Sequence, residues 1–327
     1  MDRDRTFPLA VAVLEPGYAT YDVENAILAS SNAQVVPVKA EDEAVPALRA
    51  LDPVAILVRE RAVTDAELIA CPNLKAVVRY GVGVDNVDLR SASRRRIHVA
   101  NIPDYGAENE VSEHALALYL AVQRRIPDRD RDVREGRWGV GQDAPIPNRE
   151  NAILGLIGCG RIGLEAARKF RALGFNRVLV FDPFLTDEAA KQADVELVDL
   201  QTLCSLADVV SLHAPLTAET HHILNADLIA QMKPSAIVVN VSRGGLVDEQ
   251  ALATALAEGR LFGAGVDVFE QEPVTSDNPL LNAPNTILSD HTAWYSERSV
   301  AVLQRNAAQE VQRVLSGQPP SSWVNPW

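Results

Sequence analysis

Four polar residues in the last third of the chain are of types that can move protons and hold anions. Arg243 stands in Asn240-Val241-Ser242-Arg243-Gly244-Gly245, directly after the β-branched run AIVVN at 236–240. Its planar guanidinium can hold a carboxylate or a carbonyl oxygen through paired hydrogen bonds. Asp267 ends the run GAGVD, and Glu272-Pro273 follows five residues later. His291 closes the segment TILSDH. A carboxylate beside an imidazole stabilises the imidazolium, and the imidazolium can donate a proton as hydride reaches a carbonyl carbon. Taken singly, each residue has a plainer reading. A lone His is more often a packed or surface side chain, and a lone Glu-Pro is usually a loop. His98, His114, His221 and His222 receive that plainer reading.

Glycines mark a place for a dinucleotide. Gly158-Cys159-Gly160-Arg161-Ile162-Gly163 follows the run AILGLI (152–157) and opens a helical stretch. In that setting the first glycine permits a tight turn, the second lets a pyrophosphate approach the backbone, and the third lets helix and strand pack closely. The helix N-terminus adds free N–H groups and partial positive charge. Asp182 ends the next run, 19 residues after Gly163, where an acid can accept from ribose hydroxyls and would repel a 2′-phosphate. The expected cofactor is therefore NAD; the alternative is a generic glycine turn with a turn aspartate. His213, in His213-Ala214-Pro215-Leu216-Thr217, lies at a strand end and could line the same site. A second pair, Gly81-Val82-Gly83, follows KAVVR (75–79) and has Asn86 where a third glycine would stand. Small residues after a parallel strand expose N–H groups that suit a carboxylate. A simple βα turn is the other reading.

Alternating strands and helices must position these groups. Strand-like runs recur at 9–14, 34–38, 54–58, 75–79 and 97–100, with helix-like stretches at 22–30 and 64–70 between them. The alternation restarts at 152–157, 177–181, 209–212, 236–240, 263–268 and 285–288, with helices over 161–174, 199–206 and 248–258. That rhythm predicts α/β architecture with doubly wound parallel sheets. Between the halves, 109–125 places Val111, Ala115, Leu118 and Val122 at helical spacing, predicting a long amphipathic helix. The charged stretch 124–137 reads as solvated surface, and Gly136, Gly139, Gly141, Pro145 and Pro147 read as a loop. A last helix over 296–316 has no strand after it and is expected to return to the first domain. The domains expected are 1–102 with 293–327, for substrate, and 103–292, for the cofactor.

Composition removes several classes. A chain of 327 residues suits about two domains. Its 47% apolar and 23% charged residues exclude a disordered chain, a collagen and a disulfide scaffold. A net charge of −13 argues against direct nucleic-acid binding, and Arg90 with Arg94, Arg95 and Arg96 reads as a solvated helix end. No apolar run approaches the ~18 residues of a membrane span, and the first residues lack the pattern of a signal peptide. Cys71, Cys159 and Cys204 have no paired spacing, so they read as buried thiols in a reducing compartment, with no metal framework. The expected location is the cytoplasm.

Taken together, RYGVGVDNVD (79–88), GLIGCGRIG (155–163), HAPLT (213–217), VNVSRGGLVDEQAL (239–252), GAGVDVFEQEP (263–273) and SDHTAW (289–294) resemble the D-isomer-specific 2-hydroxyacid dehydrogenases. The resemblance covers about residues 50–315. It is closest to the branch that includes the C-terminal binding proteins, NAD-binding corepressors, on the strength of Arg79 and of Trp294-Tyr295-Ser296-Glu297. It implies a Rossmann domain and a flavodoxin-like domain with the active site in the cleft. It implies a catalytic Arg243, Glu272 and His291, and a nicotinamide site around Val241, Ser242 and Asp267. The 214–220 loop, with Ala214, Pro215 and Thr220, would lie at the cofactor, and 109–125 would form a homodimer contact.

The reaction implied is reversible reduction of a 2-oxo acid to a D-2-hydroxy acid. Gly81, Val82, Gly83 and Arg79 would hold the substrate carboxylate, and Trp294 would wall the substrate's side chain. Formate dehydrogenases generally carry Gln where this chain has Glu272. A phosphoglycerate-type substrate is a second alternative, disfavoured by Trp294. A corepressor-like NAD sensor is the rival from another class, which would not need an intact Arg–Glu–His set.

Overall fold

The structure, a computed structural model, describes residues 8–39, 43–139 and 145–327. The chain divides into two compact units, Met1–Tyr105 with Ser296–Trp327, and Gly106–Tyr295.

The first unit is built on five parallel strands, β1 (Leu9–Leu14), β2 (Ala33–Val38), β3 (Ala55–Val58), β4 (Ala76–Arg79) and β5 (His98–Ala100). Their order is β2-β1-β3-β4-β5, the flavodoxin-like winding. β3 and β4 are buried throughout, as strands covered by helices on both faces must be. The helices are α1 (Asp22–Leu28), α2 (Ala44–Leu51), α3 (Asp65–Ala70) and α4 (Leu89–Arg94). The arginines at the end of α4 face Asp65, with Arg95 at 2.9 Å and Arg94 at 3.7 Å. The C-terminal helix Glu297–Leu315 packs on α1 and β4. Its buried Gln304 donates to the Thr20 carbonyl (2.7 Å) and to the buried Glu24 (3.1 Å), which also accepts from Tyr80 Oη at 2.8 Å. After the helix, Trp323 makes one antiparallel bridge to Ala100, so no further strand forms there.

The second unit carries seven parallel strands: β6 (Ile153–Ile157), β7 (Arg177–Phe181), β8 (Glu196–Leu197), β9 (Val209–Leu212), β10 (Ile237–Asn240), β11 (Gly263–Val266) and β12 (Thr286–Leu288). The order is β12-β11-β10-β9-β6-β7-β8. The winding reverses between β6 and β9, and in doubly wound sheets the ligand crevice lies outside the strand ends at that point. Around the sheet lie α5 (Ala107–Gln123), α6 (Ile126–Arg134), α7 (Arg161–Ala172), α8 (Asp187–Gln192), α9 (Leu200–Leu206), α10 (Ala226–Ile229) and α11 (Glu249–Ala257).

One expectation needs correcting here, and the solvated reading of 124–137 holds. The long helix stops at Gln123, because Arg125 takes a left-handed φ of 51° that breaks it from α6. The charged stretch beyond is itself a helix, α6, with a proline in its first turn and ion pairs Arg131–Asp128 and Arg134–Asp130 along it. Of the loop expected after it, Gly141 lies outside the described residues.

Candidate active site

The strand ends of the second unit carry the candidate residues in spatial order across the sheet. His291 follows β12, Asp267 and Glu272 follow β11, and Arg243 follows β10. His213 follows β9, Gly158 follows β6, and Asp182 follows β7.

Glu272 and His291 meet. Glu272 Oε2 lies 2.6 Å from His291 Nδ1, and Glu272 Oε1 accepts the Phe269 amide at 2.9 Å. The backbone of His291 is left-handed, with φ of 54°, an uncommon state for a residue with a side chain. Asp267 holds it there. The Asp267 carbonyl accepts the His291 amide at 2.7 Å. The fully buried Asp267 carboxylate accepts from Ser289 Oγ (2.6 Å), the Thr292 amide (3.1 Å) and the Ala293 amide (2.9 Å). Both Asp267 oxygens thus serve the turn that presents His291. Trp294 belongs to the same turn: its indole Nε1 donates to the His291 carbonyl at 2.9 Å.

Arg243 is brought beside the Glu272 loop by the residue after it. A Cβ on Gly244 would sit 1.8 Å from the Phe269 carbonyl carbon, so only glycine lets the two backbones cross. Asn240 Nδ2 fixes the Arg243 carbonyl at 2.9 Å.

The sequence reading passed over Glu249, which supports this loop from below. Its buried carboxylate accepts the Glu270 amide (2.7 Å) and Asn278 Nδ2 (2.6 Å). Burial pushes that carboxyl above the usual carboxylate range, and the charges of Glu270 and Glu272 add to the effect. Glu270 in turn faces His222 Nε2 at 2.9 Å. The available signal was Glu249 at the first position of α11, behind an Asp248 cap.

The groups expected around a dinucleotide fit one. Gly158 has φ of 90°, and a Cβ there would lie 2.6 Å from the Ala214 nitrogen, so this glycine lets the β9 loop reach the β6 turn. Over Gly160 the space a Cβ would take is open. Gly160 caps α7 without a side-chain bond, so the first-turn amides around Arg161, Ile162 and Gly163 suit a pyrophosphate. Asp182 is fixed by the Cys159 amide (2.8 Å) and the Phe184 amide (2.9 Å). Beside it, an open hollow of about 500 Å³ is bounded by Pro183, Val198, Asp199 and Thr202 among others. Ser242 Oγ donates to the Ala214 carbonyl at 2.6 Å, and Thr220 Oγ1 donates to that of Pro215 at 2.7 Å. Val241 is buried next to Ser242. His213 Nε2 lies 2.9 Å from Ser211 Oγ, and burial pushes its pKa down to about 4, so the ring is neutral at neutral pH.

In the first unit, Arg79 is buried and bonded to Glu60 Oε1 (2.5 Å) and the Arg59 carbonyl (3.1 Å). Gly81 has φ of 140°, and a Cβ on it would meet Arg79 Nη1 at 1.6 Å. Arg79 therefore braces the Gly81-Val82-Gly83 turn from within. The amides of Val82 and Gly83 meet no acceptor among the described residues. Asn86 Nδ2 ties the turn to the Arg59 and Arg61 carbonyls at 3.2 and 2.9 Å. The three cysteines are buried and form no disulfide; burial raises the Cys159 thiol to about 11. Among the described residues no group of His, Cys, Asp and Glu could hold a metal, and no helix is long and apolar enough to cross a membrane.

Known proteins resemble this chain in sequence and in fold. Residues 116–293 match the NAD binding domain of the D-isomer specific 2-hydroxyacid dehydrogenases. A D-3-phosphoglycerate dehydrogenase of Archaeoglobus fulgidus is 41% identical over 272 residues, covering 83% of this chain and 51% of the relative. This chain thus spans about half the length of that enzyme. A glyoxylate reductase of Korarchaeum cryptofilum is 40% identical over 265 residues, covering 80% of this chain and 79% of the relative. Among solved structures, a D-lactate dehydrogenase of Aquifex aeolicus complexed with NAD and lactic acid has a TM-score of 0.86 at 26% identity, covering 97% of this chain and 99% of the other. The chain belongs to the D-isomer specific 2-hydroxyacid dehydrogenase family, and its second unit carries that family's NAD-binding domain.

Proposed function

We propose that this protein is an NAD-dependent enzyme that reversibly reduces a 2-oxo acid to a D-2-hydroxy acid. The observation that carries this reading is the 2.6 Å contact between His291 Nδ1 and Glu272 Oε2 at the strand ends of an NAD-binding domain. When bound, the nicotinamide supplies a hydride for a carbonyl carbon. His291, with Nδ1 turned to Glu272, exchanges a proton with the carbonyl oxygen through Nε2. Glu272 stabilises the imidazolium before that transfer. Arg243 orients and polarises the carbonyl and carboxylate. The Gly81–Gly83 amides, on a turn braced by Arg79, hold a carboxylate. Asp182 selects a ribose with a free 2′-hydroxyl, and Gly160, Arg161 and Ile162 face the pyrophosphate. Val241, Ser242 and the Ala214, Pro215 and Thr220 loop shape the nicotinamide side.

A phosphorylated 2-oxo acid is the second reading, favoured by the likeness to a D-3-phosphoglycerate dehydrogenase. The experiment is NADH consumption with glyoxylate, pyruvate, 2-oxobutyrate, hydroxypyruvate and 3-phosphohydroxypyruvate. Turnover confined to the last supports the second reading; none with any 2-oxo acid overturns both.

The same proposal includes a homodimer built largely on the helix at 109–125 and the loop 138–147. Trp138 in that loop is 91% exposed, with Ile126 and Val133 exposed on the neighbouring α6, and apolar side chains so placed mark interaction surfaces. Of that loop, residues 140–144 lie outside the described residues. A monomer mass in light scattering at micromolar concentration would defeat this part. Three buried, unpaired cysteines support a reducing compartment such as the cytoplasm.

A further inference from the structure

Helix α5 and strand β11 run against each other in a matched register. Val122, Leu118 and His114 lie one helical turn apart, in steps of about 6 Å. Gly263, Gly265 and Asp267 are alternate residues of one strand face, in steps of about 6.6 Å. A Cβ on Gly263 would lie 2.6 Å from Val122 Cγ1, and one on Gly265 would lie 2.7 Å from Leu118 Cβ. The two glycines therefore seat the helix on the strand. The Asp267 amide donates to the Asn240 carbonyl at 2.9 Å, carrying the ladder one residue beyond the strand. The next pair in register is His114 with Asp267, and there the contact becomes polar. His114 Nε2 lies 2.9 Å from Ser289 Oγ and 3.4 Å from Asp267 Oδ1.

Proton counting fixes the direction of these bonds. Asp267 accepts two backbone amides, one on each carboxylate oxygen. Ser289 has one hydrogen, and its 2.6 Å bond to Asp267 uses it. His114 Nε2 must then carry a hydrogen and donate it to Ser289. The order is His114 to Ser289 to Asp267, and Asp267 holds the amides of Thr292 and Ala293 in the turn that presents His291.

We propose that His114 is a positioning residue for the proposed acid–base reaction, acting on the His291 turn through Ser289 and Asp267. This rests on the functional reading above, because the turn matters to catalysis only if His291 transfers the proton. His114 touches neither reacting group. Its part is to keep the Asp267 carboxylate aimed at the turn, and a small misplacement of a reacting group is costly in rate.

The test compares H114L, H114Q and S289A in the whole protein with NADH present. The Gln amide offers an N–H donor near the same place, and Leu offers none. We expect H114L to lower kcat by between about ten- and a hundredfold, with the Kd for NADH and the melting temperature near those of wild type. H114Q should restore most of kcat. H114L and S289A should not add in the double variant, because they break one chain of bonds. Hydrogen exchange of a peptide covering 289–295 is the readout independent of turnover: protection of Thr292 and Ala293 should fall in H114L and persist in H114Q. Wild-type kcat and protection in H114L would overturn the proposal, as would H114Q being as impaired as H114L. If the wild type consumes no NADH with any 2-oxo acid, the functional reading fails, and exchange protection alone decides whether His114 holds the turn.

Discussion

Glu272 divides its carboxylate between two partners, His291 Nδ1 at 2.6 Å and the Phe269 amide at 2.9 Å. The second bond fixes which way the first points. In E272Q the amide oxygen can still accept from Phe269, which turns its NH₂ towards Nδ1. A donor there cannot face a protonated Nδ1, so the ring loses the partner of its proton-donating form. The expected outcome is a lower kcat for 2-oxo acid reduction in E272Q. Replacing His291 by Ala should cost about a hundred- to ten-thousandfold in kcat. Steady-state rates check both, and an unchanged kcat in E272Q removes Glu272 from the relay.

Cofactor choice should follow Asp182. Its carboxylate is anchored by the Cys159 and Phe184 amides, so it has little freedom to swing away from a 2′-phosphate. Wild type should favour NADH over NADPH in kcat/KM, and D182S should narrow that ratio by about tenfold, the equivalent of about 1.4 kcal/mol. Equal kcat/KM values for the two cofactors in the wild type would refute the assignment.

Substrate size should follow Trp294. Each buried methylene is worth about 0.8 kcal/mol, so three could separate a medium-length 2-oxo acid from glyoxylate by roughly 2 kcal/mol, or tens of fold. Unbranched or thioether acids of about four to six carbons should outperform glyoxylate, because an indole offers an apolar face that suits sulfur. The indole also donates to the His291 carbonyl, so W294F is the cleaner companion to W294A: it keeps an apolar ring and loses only that bond. Retained preference in W294F and lost preference in W294A assign specificity to the ring. An equal loss on all substrates in both variants makes Trp294 structural.

Stability should report on the half-buried His213. Its pKa is about 4 in the folded chain, against an ordinary value of 6.5. Between those values the unfolded chain binds the extra proton, so stability falls as pH drops from about 6.5 towards 4 and is retained above that window. The contribution is at most about 3 kcal/mol. H213Q can still bond to Ser211 but cannot take up the charge. Urea unfolding at pH 7 and pH 5 should show a smaller difference in H213Q than in wild type; equal differences would count against this account.

Much of this arrangement was legible because the cues were local. A run such as Ile237–Asn240, buried at every position, reads as a central parallel strand from its residues alone. The turn at 158–163 carries its reason for glycine in its own backbone. The missed parts depend on what lies opposite. β8 is two residues long and exists by pairing with β7. α6 buries none of its residues in this chain, so no apolar stripe announces it. Glu249 and His114 were passed over because each acts on a segment distant in sequence, Glu270 and Ser289 respectively. The family was readable from its motifs. The narrower corepressor-like branch rested on Arg79 and Trp294, which here brace backbone turns, and the relatives compared above speak only for the family as a whole.

The return of the C-terminal helix Glu297–Leu315 to α1 gives the chain an order of assembly. Unit Gly106–Tyr295 is continuous, so every strand of its sheet has been synthesised before that helix is made. The first unit waits: Glu24 and Thr20 are translated early, but their partner Gln304 arrives only after the whole intervening unit. At about 5–20 residues per second that interval, the 280 residues from Glu24 to Gln304, is roughly fourteen to fifty-six seconds. Through it, α1 leaves exposed the surface that the helix later covers, and a buried carboxylate that needs Gln304 is still in water. Nascent chains therefore expose this surface of α1 to aggregation and proteolysis until Glu297–Leu315 has been made.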